Sequence, residues 1–109
     1  MEKIYVERGG IRFGQSFWIA SNYTWPFVVL KASKKKIVLE GSILWKRKFT
    51  FERDKIIAIK KRRGILNTGV QIAHDISEYP PFILFWTFSY KTLKQELALI
   101  GYKVLESTK

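Results

Sequence analysis

The residues of this chain best suited to chemistry are ten Lys and Arg side chains grouped in three clusters. They are Lys34, Lys35 and Lys36; Lys46, Arg47 and Lys48; and Lys60, Lys61, Arg62 and Arg63. Residues 1–64 carry 16 of the 20 Lys and Arg residues but only 5 of the 9 acidic ones, so the whole net charge of +11 falls there. This asymmetry favours an anionic partner, whether a phospholipid surface, a nucleic acid or an acidic protein face. The alternative interpretation is that the charges confer solubility and protect strand edges.

The four tryptophans are the second group of residues that could contact a ligand. An indole can stack on a nucleobase or lie at a lipid headgroup interface. Trp45 directly precedes Lys46, so we expect it to be partly exposed and to share a binding surface with that cluster. Trp18, Trp25 and Trp86 are expected in the core, because tryptophan usually buries most of its area. The candidate binding residues are therefore Trp45 and the three basic clusters.

The side chains that catalysis would require do not converge in this sequence. The single histidine, His74, lies on an alternating segment that places Asp75 on the opposite strand face, so we expect its imidazole to bond to backbone. Glu52 and Asp54 are the only acidic pair two residues apart, and they have no histidine partner. The chain has no cysteine, and no phosphate-binding glycine loop or serine elbow occurs. These features predict a protein that is not an enzyme and needs no metal or cofactor.

The elements that must position these residues are mainly strands. Apolar residues alternate or cluster in short segments from Ile11 to Phe88, and the pattern becomes helical only at residues 92–100. We therefore predict a mainly β fold, a bent antiparallel sheet or partly open barrel of about seven strands capped by one C-terminal helix. The expected strands are 11–20, with a break near Gly14, 25–32, 37–39, 44–51, 56–59, 70–74 and 82–88. Residues 21–24 are expected to form a loop and residues 67–69 a turn.

The C-terminal helix has its own sequence signals. Thr92 and Gln95 have the spacing of a capping box, and Gly101 lies where a glycine would end the helix. An apolar stripe predicts that one helix face closes an open end of the barrel. That stripe is Leu93, Leu97 and Ile100, widened by Ala98 and Leu99. Seven residues are expected in the core, namely Leu30, Leu39, Ile59, Ile72, Leu84, Leu93 and Leu97.

Seven strands followed by one helix reproduce the element order of the pleckstrin-homology-like (PH-like) fold. The chain resembles small bacterial PH-like or GRAM-like domains from about residue 17 to residue 104. The stretches that carry the resemblance are 21–27, 51–59, 69–74, Phe85 with Trp86, and the closing pattern Leu93, Leu97 and 101–104. The resemblance implies a binding scaffold rather than a reaction.

In lipid-binding PH domains, basic residues of the first inter-strand loop typically hold an inositol phosphate headgroup. In this chain that loop is expected at residues 21–24, which contain no Lys or Arg, and Lys34, Lys35 and Lys36 follow one hairpin later. If the first strand is instead 27–32, the lysine-rich turn becomes the first loop. The sequence is compatible with both assignments of the first strand, 11–20 and 27–32.

Together these observations predict one domain over residues 1–109, with a core at about 11–105. Its expected function is a non-enzymatic PH-like binding or scaffolding module that docks to an anionic phospholipid surface or to a protein partner. The second candidate is a small nucleic-acid-binding β-barrel that uses the basic clusters and Trp45. No N-terminal signal pattern occurs, and the apolar run 80–88 is far shorter than the ~20 residues that span a bilayer. The expected location is the cytoplasm, including the inner face of the membrane.

Overall fold

Eight β-strands and one α-helix form the part of the chain that the computed structural model describes, residues 3–41, 46–63 and 67–106. The strands are β1 (Tyr5–Gly14), β2 (Ala20–Ala32), β3 (Lys36–Gly41), β4 (Lys48–Glu52), β5 (Ile56–Arg63), β6 (Thr68–His74), β7 (Phe82–Thr87) and β8 (Val104–Leu105). The helix α1 (Tyr90–Ile100) follows β7, and a short 3-10 turn (Arg53–Lys55) joins β4 to β5.

The strands form a single curled sheet in the order β4-β3-β2-β1-β7-β6-β5-β8. Every neighbouring pair is antiparallel except β5 and β8, which run parallel. The predicted fold class is therefore confirmed: a bent, mainly antiparallel sheet with one C-terminal helix. The strand beyond the expected seven is the two-residue β8, which pairs with β5 at Ile59 and Lys60.

Side-chain alternation along the strands directs one face of the sheet into a common core. All seven residues expected in the core are buried. The largest fully buried side chains there include Phe49, Phe51 and Phe85. On β7 both faces are covered, so Phe82 and Leu84 are buried on the side opposite that core. Because both faces of β7 are covered, its sequence is almost continuously apolar instead of alternating between apolar and polar residues.

The helix ends as the sequence predicts but begins earlier. The first helical bond runs from the Leu93 N–H to the Ser89 carbonyl at 3.0 Å, so α1 begins at Tyr90 and Thr92 lies inside it. The expected capping box is therefore wrong, because the N-cap residue is Ser89 and its side chain makes no capping hydrogen bond. Gly101 ends the helix with a φ of 103°, a conformation that an L side chain rarely adopts.

The buried face of α1 is narrower than expected. Leu93, Leu97 and Ile100 are buried against the sheet, as the apolar stripe predicted. Ala98 and Leu99 point to solvent and do not widen that stripe. The helix thus closes the sheet through three aliphatic side chains spaced three or four residues apart.

The first hairpin differs from the sequence-based expectation. β1 ends at Gly14, and residues 15–19 form the turn, here called the β1–β2 tip. The N–H groups of Gln15 and Ser16 both donate to the Ile19 carbonyl, at 3.0 and 3.4 Å, and the Ser16 hydroxyl accepts the Ile19 N–H at 3.2 Å. The aromatic run of the tip resembles a strand in sequence, but these bonds close it into a turn.

Two segments expected as loops are parts of strands. Residues 21–24 belong to β2, where 21–23 pair with residues 11–13 of β1. Thr68 and Gly69 pair with Thr87 and Trp86 of β7, so no turn occurs at those two residues. The turn at Lys34 and Lys35 consequently joins β2 to β3 and is the second hairpin, not the first.

Candidate functional site

The first two basic clusters lie at opposite ends of β3. Lys36 begins β3 and pairs with Glu52, whereas Lys48 pairs with Glu40 near the other end of the strand. Four residues of extended chain separate Lys36 from Glu40, which corresponds to about 13 Å. All six side chains of these clusters are exposed. The cluster of Lys34, Lys35 and Lys36 and the cluster of Lys46, Arg47 and Lys48 therefore do not form one binding surface.

The third cluster is divided by the alternation of β5. Lys60 and Arg62 pair with Gln71 and Gly69 on one face of the sheet, and Lys61 points to the other face. There the Lys61 Nζ lies 5.3 Å from the centre of the Tyr90 ring and 4.0 Å from a Glu106 carboxylate oxygen. Among the described residues, Lys61 is the one cation of the three clusters within ion-pair distance of a carboxylate. Arg63, at the end of β5, is exposed, and Trp45 lies outside the described residues.

The β1–β2 tip presents the most exposed large apolar side chain of the described residues. Trp18 is 83% exposed and Ile19 is 68% exposed. The expectation that Trp18 packs in the core is therefore wrong, and so is the same expectation for Trp25, which is 44% exposed on β2. The Trp18 ring stands edge-on to Phe17 at 4.9 Å between centroids, and Phe17 in turn packs edge-on to Phe82 at 5.9 Å. This row of rings connects the exposed indole to the sheet.

Two arginines hold the base of the tip. The Arg12 guanidinium carbon lies 5.1 Å from the centre of the Phe17 ring, and its Nε donates to the Phe17 carbonyl at 2.7 Å. The Arg62 guanidinium carbon lies 4.8 Å from the same ring and 5.5 Å from the Phe82 ring. Arg62 also donates to the Gln71 side chain at 3.3 Å. The exposed tip is therefore braced by two side chains that always carry positive charge.

An open groove of about 690 Å³ lies on the other side of the tip, between it and residues 77–81. Arg47 lines this groove together with Ile19, Tyr79 and Glu78. Its guanidinium carbon lies 5.1 Å from the centres of both the Phe13 and Phe49 rings. Of the predicted site residues, the structure thus brings Arg47 and Arg62 to the tip, one on the groove side and one on the opposite side.

The wall of the groove formed by residues 77–81 is anchored by His74 and Tyr79. The Nδ1 atom of His74 accepts the Ile76 N–H at 3.0 Å, and its Nε2 lies 2.9 Å from the Pro80 carbonyl, to which it donates. The Thr50 N–H donates to the Tyr79 hydroxyl at 3.0 Å. Both ring nitrogens of His74 are therefore bonded to backbone, as its position in the sequence predicts, and the imidazole holds the loop in place.

The described residues contain no group of three His, Asp or Glu side chains placed to hold a metal ion. No helix in the described ranges is long and apolar enough to cross a membrane. The arrangement at the tip offers an exposed indole and an aliphatic side chain, with guanidinium groups beside them. Such a surface suits a ligand that combines negative charge with apolar groups.

The sequence-based reasoning overlooked Trp18, Ile19 and Arg12. The available signal was Gly14 followed two residues later by Ser16, two residue types that favour a turn, just before the aromatic run. In comparisons with known proteins, no family model and no curated protein matched this chain.

Proposed function

We propose that this chain is a non-enzymatic, PH-like binding domain that docks through the β1–β2 tip on an anionic phospholipid surface at the cytoplasmic face of a membrane. The observation that carries the proposal is the exposure of Trp18 and Ile19 at a turn flanked by Arg12, Arg47 and Arg62. The bent sheet with a single closing helix supports the PH-like part of the proposal, because that element order is the basis of the resemblance.

The tip suits the interface between lipid headgroups and acyl chains. Tryptophan favours this zone because one end of the indole is apolar and the other carries an N–H donor. Arginine binds phosphate through parallel N–H bonds, and each basic residue near an anionic membrane contributes about 1 kcal/mol. Since the tip is closed by its own hydrogen bonds, inserting it requires little further ordering of the chain.

Co-sedimentation with lipid vesicles at physiological salt tests the proposal. We expect binding to vesicles that mix phosphatidylserine with phosphatidylcholine, and none to phosphatidylcholine alone. The double variant Trp18→Ser/Ile19→Ser should bind anionic vesicles at least about tenfold more weakly, because it removes two apolar side chains from the inserted surface. Ile57→Ser is the matched control, since Ile57 is as exposed as Ile19 but lies on β5, away from the tip.

Three results would contradict this function. The first is equal binding of the tip variant and the control to anionic vesicles. The second is equal binding of the native chain to anionic and neutral vesicles. The third is binding to single-stranded nucleic acid without binding to vesicles, with loss of that binding in Trp45→Ser. This last result would favour the nucleic-acid candidate.

A further inference from the structure

Two side chains of opposite charge line the groove beside the tip. One is Arg47, and the other is Glu78, which belongs to the segment 77–81 that faces the tip across the groove. The ion pairs of the described residues include neither of them. The groove therefore offers a cation and a carboxylate that are not paired with each other.

The guanidinium group of Arg47 rests on a row of aromatic rings. Its central carbon lies 5.1 Å from the centres of both the Phe13 and Phe49 rings. These two rings stand edge-on to each other at 5.5 Å between centroids, and Phe49 stands edge-on to Tyr79 at 4.9 Å. A guanidinium that lies over aromatic rings keeps the N–H groups at its edge available, and these suit the oxygens of a phosphate.

Glu78 opposes attraction to a surface that carries negative charge alone. Its side chain is exposed, and Ile19 of the tip lines the same groove, so tip insertion brings this carboxylate close to the lipid headgroups. The backbone around it is held by His74, whose ring bonds to Ile76 and Pro80 on either side of Glu78 in sequence. A carboxylate held there is repelled by phosphate but binds an ammonium group through charge-assisted hydrogen bonds. The groove therefore suits a headgroup that carries both groups.

We infer that this groove binds the headgroup of phosphatidylserine, with Arg47 at the phosphate and Glu78 at the ammonium group. This headgroup joins a phosphodiester to a primary ammonium group and, through its own carboxylate, keeps a net negative charge. It therefore complements both charges of the groove and also forms an anionic surface. The groove volume of about 690 Å³ is within the range of about 300–1,000 Å³ that is typical of small-molecule sites. The inference rests on the membrane docking proposed above and specifies which anionic lipid the docking selects.

Co-sedimentation with two kinds of anionic vesicle at physiological salt tests the inference. One kind contains phosphatidylserine and the other phosphatidylglycerol, at equal mole fraction in phosphatidylcholine, so that both surfaces carry the same charge and only the first offers a primary ammonium group. The native chain should bind the phosphatidylserine vesicles at least about fivefold more tightly, because the charge-assisted bonds to Glu78 form only there. Glu78→Gln should bind phosphatidylserine more weakly and phosphatidylglycerol more tightly than the native chain does, since the substitution removes both the ammonium contact and the repulsion.

Asp75→Asn is the matched control for this experiment. Asp75 is an exposed carboxylate that precedes the same loop, and it does not line the groove. Its substitution removes the same single charge, so it should change both affinities by the same factor and keep the native preference for phosphatidylserine. Urea unfolding of both variants verifies that they fold as the native chain does.

The inference and the proposed function fail in different ways. Equal binding of the native chain to the two anionic vesicles, with weaker binding to phosphatidylcholine alone, overturns the inference and leaves the proposed function intact. The same holds if Glu78→Gln keeps the preference for phosphatidylserine that Asp75→Asn shows. Absence of binding to either anionic vesicle overturns the proposed function itself, and the inference with it.

Discussion

At the scale of single residues, one carboxylate fastens the segment just after β8 to the helix. Glu106 accepts a hydrogen bond from the Tyr90 hydroxyl at 2.8 Å and lies 2.7 Å from the Lys94 Nζ. The hydrogen bonds from Lys94 and then Tyr90 lower the pKa of Glu106 below its usual value. Burial, and then the bond to Glu106, raises the pKa of the Tyr90 hydroxyl. The ionised form of Glu106 therefore favours the folded state.

We expect Glu106→Gln to lower the urea midpoint of unfolding near neutral pH and to have little effect at low pH. A carboxylate whose pKa is lowered by folding stabilises the fold above its unfolded value, near 4.5, and this contribution is lost as the pH falls through the folded pKa. Midpoints of the native chain and the variant at a series of pH values measure the difference. Asp75→Asn, which changes an exposed carboxylate elsewhere, is the control. A gap between native chain and variant that stays constant with pH would contradict this account.

The residue scale also separates what the sequence could predict from what it could not. His74 was predicted to bond to backbone because strand alternation limits where its neighbours point, and alternation is a local property. Trp18 was expected in the core because burial was inferred from residue type. Its exposure depends on the hydrogen bonds that close residues 15–19 into a turn, and the identity of residue 18 as tryptophan does not reveal these bonds.

At the scale of elements, apolar patterns predicted buried segments well and predicted boundaries poorly. The apolar runs behind β7 and α1 are long or strongly periodic, so both elements were located to within a few residues. Residues 21–24 were expected as a loop because they are polar. They lie in β2 because β1 supplies pairing partners across the hairpin, and the polarity of residues 21–24 does not reveal that pairing. The convergence of Arg47 and Arg62 on the tip likewise depends on segments of the chain that meet only in the fold.

The helix provides a direct test of how the sheet is closed. Leu97→Ala should destabilise the chain by roughly 2–5 kcal/mol, because Leu97 is fully buried in the core and its truncation leaves a cavity. Leu99→Ala, on the exposed face of the same helix, should change stability by less than about 0.5 kcal/mol. Urea unfolding of both variants and the native chain gives the comparison. Equal losses would show that α1 does not pack as described.

At the scale of the whole molecule, the positive charge is distributed over several faces rather than collected in one. The turn with Lys34 and Lys35 lies near the C-terminal end of α1, where Arg53 donates to the carbonyls of Lys34 and Gly101 at 3.0 and 2.5 Å. Arg47, the middle residue of the cluster Lys46, Arg47 and Lys48, lines the groove beside the tip. A chain that docks in one orientation should use the second cluster and not the first, whereas general attraction to an anionic surface would use both equally.

Two triple variants that remove the same number of charges distinguish these cases. Lys46→Gln/Arg47→Gln/Lys48→Gln should weaken binding to anionic vesicles by roughly a hundredfold, since three basic residues near the surface contribute about 3 kcal/mol together. Lys34→Gln/Lys35→Gln/Lys36→Gln should weaken it by less than about tenfold, because these residues follow the end of β2 that is farthest from the tip, and their charges are screened at that distance. Vesicle co-sedimentation over a range of lipid concentrations gives both affinities, and urea unfolding verifies that each variant is folded. Equal losses would mean that net charge alone attracts the chain, and the oriented docking of the tip would then have to be abandoned.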